Sequence, residues 1–237
     1  MRNLRRLGLE VLMVQLVVLH IVLIAAPLAQ ATCETAGAIN FAVGAGPGTG
    51  VTTSHGVFGW SNINDAISLG VFDQHVEALY IWHDGDDMVE YGWDMDRGDL
   101  FTNNHVFDAR MFSGVYAVRL DDNDPTLDDH SFRIVYNDAT QRYDFKYDNV
   151  VQGYHRDPVW VSGRPWAVGE ISDQCDTGTS HWWTLKYQHL GANWNPWSGT
   201  HWNCDTETYH GYLQLSNTEF KVREVADTFV GPCDQFA

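Results

Sequence analysis

The chain has 237 residues, and its 14 Lys and Arg against 31 Asp and Glu give a formal charge of −17. That much negative charge argues against nucleic acid and anionic lipid surfaces as partners, because both would be repelled. Acidity of this size favours solubility and fits acid or salty surroundings or the binding of cations, without choosing among them.

Arg2, Arg5 and Arg6 open the chain, an apolar run from Val11 to Ala26 follows, and small residues stand at Ala29 and Ala31. This is the three-part layout of a secretory signal peptide over residues 1–31, with cleavage expected after Ala31. An uncleaved anchor is the competing reading, but the run is shorter than the ~20 residues that a spanning helix needs. Removing the leader takes away three Arg and Glu10, leaving 11 basic and 30 acidic residues and a charge of −19. The expected mature chain is one domain over residues 32–237, outside the cell and free of the membrane.

Residues 32–56 read as a flexible lead-in, with Gly44, Gly46, Gly48 and Gly50 around Pro47. No Gly-Lys-Ser/Thr follows, so this is not a phosphate-binding loop. Ile63, Ala66, Ile67 and Val71 have helical spacing and suggest a helix within residues 62–79, although Gly70 interrupts it. Beyond it the period changes to two. ALYIW (78–82) reads as a strand, Asp84 to Asp87 as a turn and MVEYGW (88–93) as a second strand. In that second strand Val89, Tyr91 and Trp93 share one face and Met88, Glu90 and Gly92 the other. Residues 106–111 and 114–120 continue the pattern, and an acidic loop spans 121–129. SFRIVY (131–136) and YDFKY (143–147) flank Asn137-Asp138-Ala139-Thr140 as a hairpin, and Asp148-Asn149 turns into Val150-Val151.

The stretch from Arg164 to Leu190 reads as two buried strands around a cysteine-bearing loop. Trp166, Val168 and Glu170 share one face, and Ala167, Gly169 and Ile171 the other. A glutamate beside Trp and Val is either desolvated at a groove or paired with a cation such as Arg164. Gly169 suggests a close approach by another backbone or a ligand. An aromatic loop over 194–202 and strands at 212–215 and 220–222 end the chain. Some ten short strands at regular spacing predict an all-β fold, an antiparallel β-sandwich of jelly-roll, concanavalin-like form.

Four cysteines, Cys33, Cys175, Cys204 and Cys233, suggest two disulfides in an exported chain, with three pairings open. The preferred pairing is Cys33 with Cys233 and Cys175 with Cys204, the second worth roughly 3–4 kcal/mol in the chain-entropy model. No ligand spacing for a metal is present. The acidic loops (Asp84, Asp86 and Asp87; Asp94, Asp96 and Asp99; Asp121 to Asp129) read as solvated surface, with calcium as the alternative, although none has the EF-hand spacing. No cofactor is expected. Trp194, Trp197 and Trp202 are expected at the surface and, with Trp166, are candidates for stacking on a sugar ring. Nucleophile motifs are missing, which leaves Glu90 and Glu170 as candidate catalytic carboxyls.

The layout ALYIWHDGDDMVEYGW, a long β stretch, then RPWAVGEIS resembles the secreted glutamic peptidases of the eqolisin and neprosin type. The resemblance implies a jelly-roll sandwich whose two side chains activate water in acid. By position Glu170 matches the eqolisin catalytic Glu, and Glu90 matches the Gln. Glu90 departs from that Gln, but a two-Glu arrangement is what the neprosin group uses. Two functions follow: a secreted binding domain for a glycan or other surface polymer, and an acid-active endopeptidase using Glu170 and Glu90. The partner expected is therefore an extracellular carbohydrate or a peptide substrate.

Overall fold

The sequence alternates apolar and polar residues along most of its length, and that period puts one face of each strand into a core. A computed structural model of the chain describes residues 41–48, 51, 53–64, 67, 69, 74–84, 87–97, 102–122, 125–155, 160–171, 178–189, 193–204, 210–224 and 234–235. In chain order the strands are β1 (Phe41–Pro47), β2 (Gly56–Asn62), β3 (Gln74–Asp84), β4 (Asp87–Arg97), β5 (Thr102–Phe112), β6 (Val115–Asp122), β7 (Asp129–Asn137) and β8 (Arg142–Tyr147). They continue as β9 (Val150–His155), β10 (Arg164–Ile171), β11 (Gly178–Gln188), β12 (Trp194–Pro196), β13 (Thr200–Cys204), β14 (His210–Ser216), β15 (Glu219–Glu224) and β16 (Asp234–Gln235).

They form two sheets. One has seven strands in the order β13-β1-β10-β3-β4-β5-β6, and the other nine in the order β16-β14-β15-β11-β2-β7-β8-β9, with β12 added beside β11. Pairing is antiparallel apart from the short β14–β16 contact. The fold is thus the antiparallel β-sandwich that the strand spacing predicts. Its core takes Leu79, Ile81, Val89, Tyr91 and Trp93 from the first sheet and Val57, Phe132, Ile134, Phe145 and Trp182 from the second. Tyr91 joins the layers, with its ring edge-on to Phe132 at 5.7 Å and tilted against Phe145 at 5.3 Å.

Two expectations are corrected. Among the described residues of 62–79 there is no helix, and Gln74 to Leu79 belong to β3; Ala66 and Val71 lie outside the described residues. There His75, Glu77 and Leu79 face the core, while Val76 and Ala78 lie on the outer face, so β3 is buried on both sides. Phe41–Pro47, read as flexible, is a strand hydrogen-bonded on both sides, to β10 and β13. Its glycines are packing devices. A Cβ on Gly46 would lie 3.2 Å from the Pro165 carbonyl and one on Gly44 3.3 Å from Val168, so β1 packs closely against β10.

The hairpins follow their turn chemistry. Ser113-Gly114 joins β5 to β6 with φ of 50° and 77°, and Asp148-Asn149 joins β8 to β9 with φ of 46° and 66°. Both are the two-residue, positive-φ connections that match strand twist. The strands flanking the 172–177 loop, read as a central pair, lie in opposite layers: β10 is in the seven-stranded sheet and β11 in the nine-stranded one. A Cβ on Gly169 would lie 2.5 Å from Ser180 Oγ on β11, so the close approach expected there is the opposite sheet.

Cys33, Cys175 and Cys233 lie outside the described residues, as does the leader, and Cys204 is described only as part of β13.

Candidate active site

Register decides which side chains meet. Trp166 on β10 is opposite Tyr80 on β3, Tyr80 is opposite Glu90 on β4, and Glu90 is opposite Ala109 on β5. Cross-strand partners share a face, so these residues project together from the outer side of the seven-stranded sheet. Two residues along β10, Val168 joins Ala78, Gly92 and Phe107 in the next row, and Glu170 joins Val76 and Asp94 in the row after that. An apolar cluster of Val76, Ala78, Tyr80, Met88, Phe107, Ala109 and Val168 forms the floor, with Trp166 and Met111 packed against it. Glu90 and Glu170 thus stand on one sheet face, over a floor that excludes water from beneath.

Each carboxyl is held by a tyrosine. Tyr80 donates its hydroxyl to Glu170 Oε1 at 2.5 Å, and Tyr116, from the edge strand β6, donates to Glu90 Oε2 at 2.9 Å. Both phenols are pushed above their ordinary value, by burial first and then by the neighbouring carboxyls, so they remain neutral donors. Glu90 is 2% exposed. Burial, and then the charge of Glu170, push its carboxyl up to about 8, while the hydroxyls of Tyr116 and Tyr80 pull the other way. Burial also raises Glu170, against the pull of the Tyr80 hydroxyl and of His75. Two carboxyls that share a dry site ionise in sequence rather than together. The Tyr80 hydroxyl interacts with both carboxyls, and burial raises both of them, Glu90 up to about 8.

The surroundings tie the site to the fold. Asp94, in the same row as Glu170, accepts from Gln74 Nε2 at 2.6 Å and meets His105 Nδ1 at 3.1 Å. On the core side of β3, Ser61 Oγ donates to Glu77 Oε2 at 2.5 Å, Trp93 Nε1 donates to Ser61 Oγ at 3.1 Å, and His75 Nε2 lies 3.3 Å from Glu77. This buried set fixes β3, the strand between the two carboxyls.

Arg164, the cation considered as a partner for Glu170, pairs across from Trp82 at the other end of β10 and is exposed. The aromatic candidates scatter. Trp166 stands on the carboxyl face beside Tyr80. Trp197, expected at the surface, is 2% exposed and belongs to the core; its position just beyond β12 turns it inward under the strand. Trp194 lies on the opposite sheet, edge-on to Phe58 at 6.2 Å. The side chain of Trp202 is outside the described set. Tyr80 and Tyr116 were not singled out by the sequence reading. Alternation along ALYIW places Tyr80 on the outer face, but Tyr116 reaches Glu90 from two strands away, which needs the sheet order. Among the described residues no group of three or more His, Cys, Asp and Glu is arranged to hold a metal ion.

No family model matches the chain, and no curated protein matches it. Solved structures do. The crystal structure of scytalido-glutamic peptidase with a peptide-based transition-state analogue aligns with a TM-score of 0.56 at 12% identity, over 82% of this chain and 100% of that one. SCP-B, a member of the eqolisin family of peptidases in complex with the tripeptide Ala-Ile-His, aligns with a TM-score of 0.53 at 11% identity, over the same shares. The resemblance in layout to eqolisin-type proteins thus extends to the fold of the chain.

Proposed function

We propose that this protein is an exported glutamic-type endopeptidase that uses Glu170 as general base and Glu90 as proton donor. The observation that carries the reading is the shared face. Two carboxyls from different strands project from one face over an apolar floor, linked through the Tyr80 hydroxyl and with Tyr116 donating to Glu90, and the more buried of them is pushed up to about 8.

The chemistry follows from the protonation states. Ionised Glu170 takes a proton from a water as its oxygen attacks the scissile carbonyl carbon. Protonated Glu90 donates a hydrogen bond to the carbonyl oxygen as negative charge develops there. The proton held by Glu170 then passes to the leaving amine as the C–N bond breaks. Trp166, at the end of the same row, gives the substrate chain an apolar wall. Activity needs Glu170 ionised and Glu90 protonated. The rate should rise as Glu170 loses its proton, above the ordinary glutamate value, and fall as Glu90 loses its own near pH 8.

The binding-domain reading relied on Trp194, Trp197 and Trp202 as one surface patch. With Trp197 in the core and Trp194 on the far sheet, the described tryptophans do not form that patch, and the peptidase reading is the better supported. The test is cleavage of a denatured protein substrate by the purified mature chain from pH 3 to 9, beside Glu170→Gln. A loss of at least about a hundredfold is expected in the variant. Equal activity in the two proteins would remove Glu170 from the chemistry.

A further inference from the structure

The far side of the sandwich carries a pattern that the carboxyl site does not use. On the outer face of the nine-stranded sheet, Lys186 on β11 is opposite Phe58 on β2, Phe58 is opposite Arg133 on β7, and Arg133 is opposite Lys146 on β8. Strands lie about 4.8 Å apart, so Lys186 and Arg133 are roughly 10 Å apart along the row and Lys146 is one strand further. Three cations in line are unusual in a chain of net charge −17. Elsewhere Arg119 pairs with Asp108 and Arg142 with Asp144. Among the described residues, Lys186, Arg133 and Lys146 pair with none.

Aromatic rings hold this row. The Arg133 guanidinium lies 5.1 Å from the Phe58 ring centre and 5.3 Å from that of Trp194, and Lys186 Nζ lies 5.7 Å from Phe58. Arg133 donates to Asn149 Oδ1 at 2.9 Å, while its buried Nε has no hydrogen-bond partner. One row along, Trp60 and Trp183 stack at 6.4 Å and 20°, with His181 tilted 4.8 Å from Trp183. Asn149 is exposed, the cations and tryptophans are partly exposed, and Phe58 is buried. Gly56 makes the arrangement fit, since a Cβ there would lie 2.9 Å from the Trp194 ring.

From this juxtaposition of a cation row with two tryptophan platforms we propose that the outer face of the nine-stranded sheet is a docking surface for a carboxylated polysaccharide of the polyuronate class. Sugar rings present flat C–H faces that stack on indole, and their carboxylates match guanidinium and ammonium donors at the rim. A denser polyanion such as a nucleic acid would meet the full repulsion of the acidic chain. A polyuronate carries one charge per sugar, and at ~0.1 M salt screening over about 10 Å leaves the local row dominant. The surface is independent of the carboxyl site on the other sheet and does not rest on the peptidase reading.

The test is affinity electrophoresis of the mature protein at 0.1 M salt through gels containing polygalacturonate, dextran or polyglutamate. Polygalacturonate should retard the wild type, and dextran and polyglutamate should not. Lys146→Gln/Lys186→Gln should weaken retention about fivefold to tenfold, as two half-exposed charge contacts would. Trp183→Ala should weaken it separately, with circular dichroism showing both variants folded. Absence of retardation by polygalacturonate, equal retardation by dextran or by polyglutamate, or wild-type retention in both variants would each overturn the assignment.

Discussion

Glu90 and Glu170 differ in what each must do, and their surroundings separate them. Glutamine is a neutral hydrogen-bond donor of the same shape as protonated glutamate. If Glu90 acts as a donor, Glu90→Gln should keep activity within about tenfold of wild type, and the fall near pH 8 should disappear from its pH–rate profile. Activity lost as completely as in Glu170→Gln would refute the assignment of roles. Tyr80 stabilises ionised Glu170 through its hydroxyl and also lowers Glu90. Tyr80→Phe should therefore move both limbs of the profile upward, by about one pH unit, and lower the maximal rate roughly tenfold. The same groups set stability. Folded Glu90 keeps a proton between its ordinary value of 4.5 and about 8, where the unfolded chain has lost it. Its contribution is complete below 4.5 and is lost as pH rises towards 8. Glu90→Gln should gain about 1–3 kcal/mol over wild type at pH 8 and little at pH 4. Thermal unfolding of the two proteins at both pH values measures that difference.

Strand β4 carries Glu90 outward and Val89, Tyr91 and Trp93 inward, and it approaches β3 closely where Gly92 faces Ala78. A Cβ at Gly92 would come within 2.6 Å of Ala78 Cα and would press on the Glu77 carbonyl. Both are backbone atoms of the strand that carries Tyr80, so neither can swing aside. Gly92→Ala should cost on the order of 2–4 kcal/mol by forcing the strands apart. It should also lower activity in the fraction that stays folded, because the Tyr80–Glu90 row shifts with it. Denaturant unfolding and kcat measured on one preparation would show both effects. Much at this scale was legible beforehand. The outward set of Trp166, Val168 and Glu170 and that of Met88, Glu90 and Gly92 follow from period two alone. The 62–79 segment departs from its helical spacing from Gln74 on, where the chain extends as β3, because a few apolar residues at helical spacing do not by themselves fix where a strand begins.

At the scale of the molecule, one ion cluster around a buried aspartate ties the layers together at the edge. Asp108 on β5 is inaccessible, receives Nε and Nη2 of Arg119 from β6 at 2.9 and 2.5 Å, and lies 2.8 Å from His155 Nε2 on β9 of the other sheet. Burial would raise this carboxyl, but His155 and Arg119 outweigh it and hold it below the ordinary aspartate range. The sign is opposite to that of Glu90. The stability it supplies is present above the unfolded aspartate value of 3.8 and is lost as pH falls through the lower folded value. The clamp therefore survives in the mildly acid conditions that the proposed chemistry uses. Asp108→Ala removes the buried partner of half-exposed Arg119 and of His155 and should cost about 1–3 kcal/mol, read as a lower Tm at pH 6.

The sequence by itself determined the class of fold and the facing of individual strands, because alternation and turn residues are local properties. Asn137 to Thr140 and Asp148-Asn149 turn where their chemistry requires. Local pattern also selected the two carboxyls, since a Glu within an apolar strand is visible without coordinates. Only the tertiary structure decided that β10 lies beside β3 and puts Glu170 on the face of Glu90, that Tyr116 reaches in from the sheet edge, and that Trp197 turns inward. Those facts depend on strand order, and strand order is set by how two whole faces bury each other across the sandwich, which no window of neighbouring residues contains.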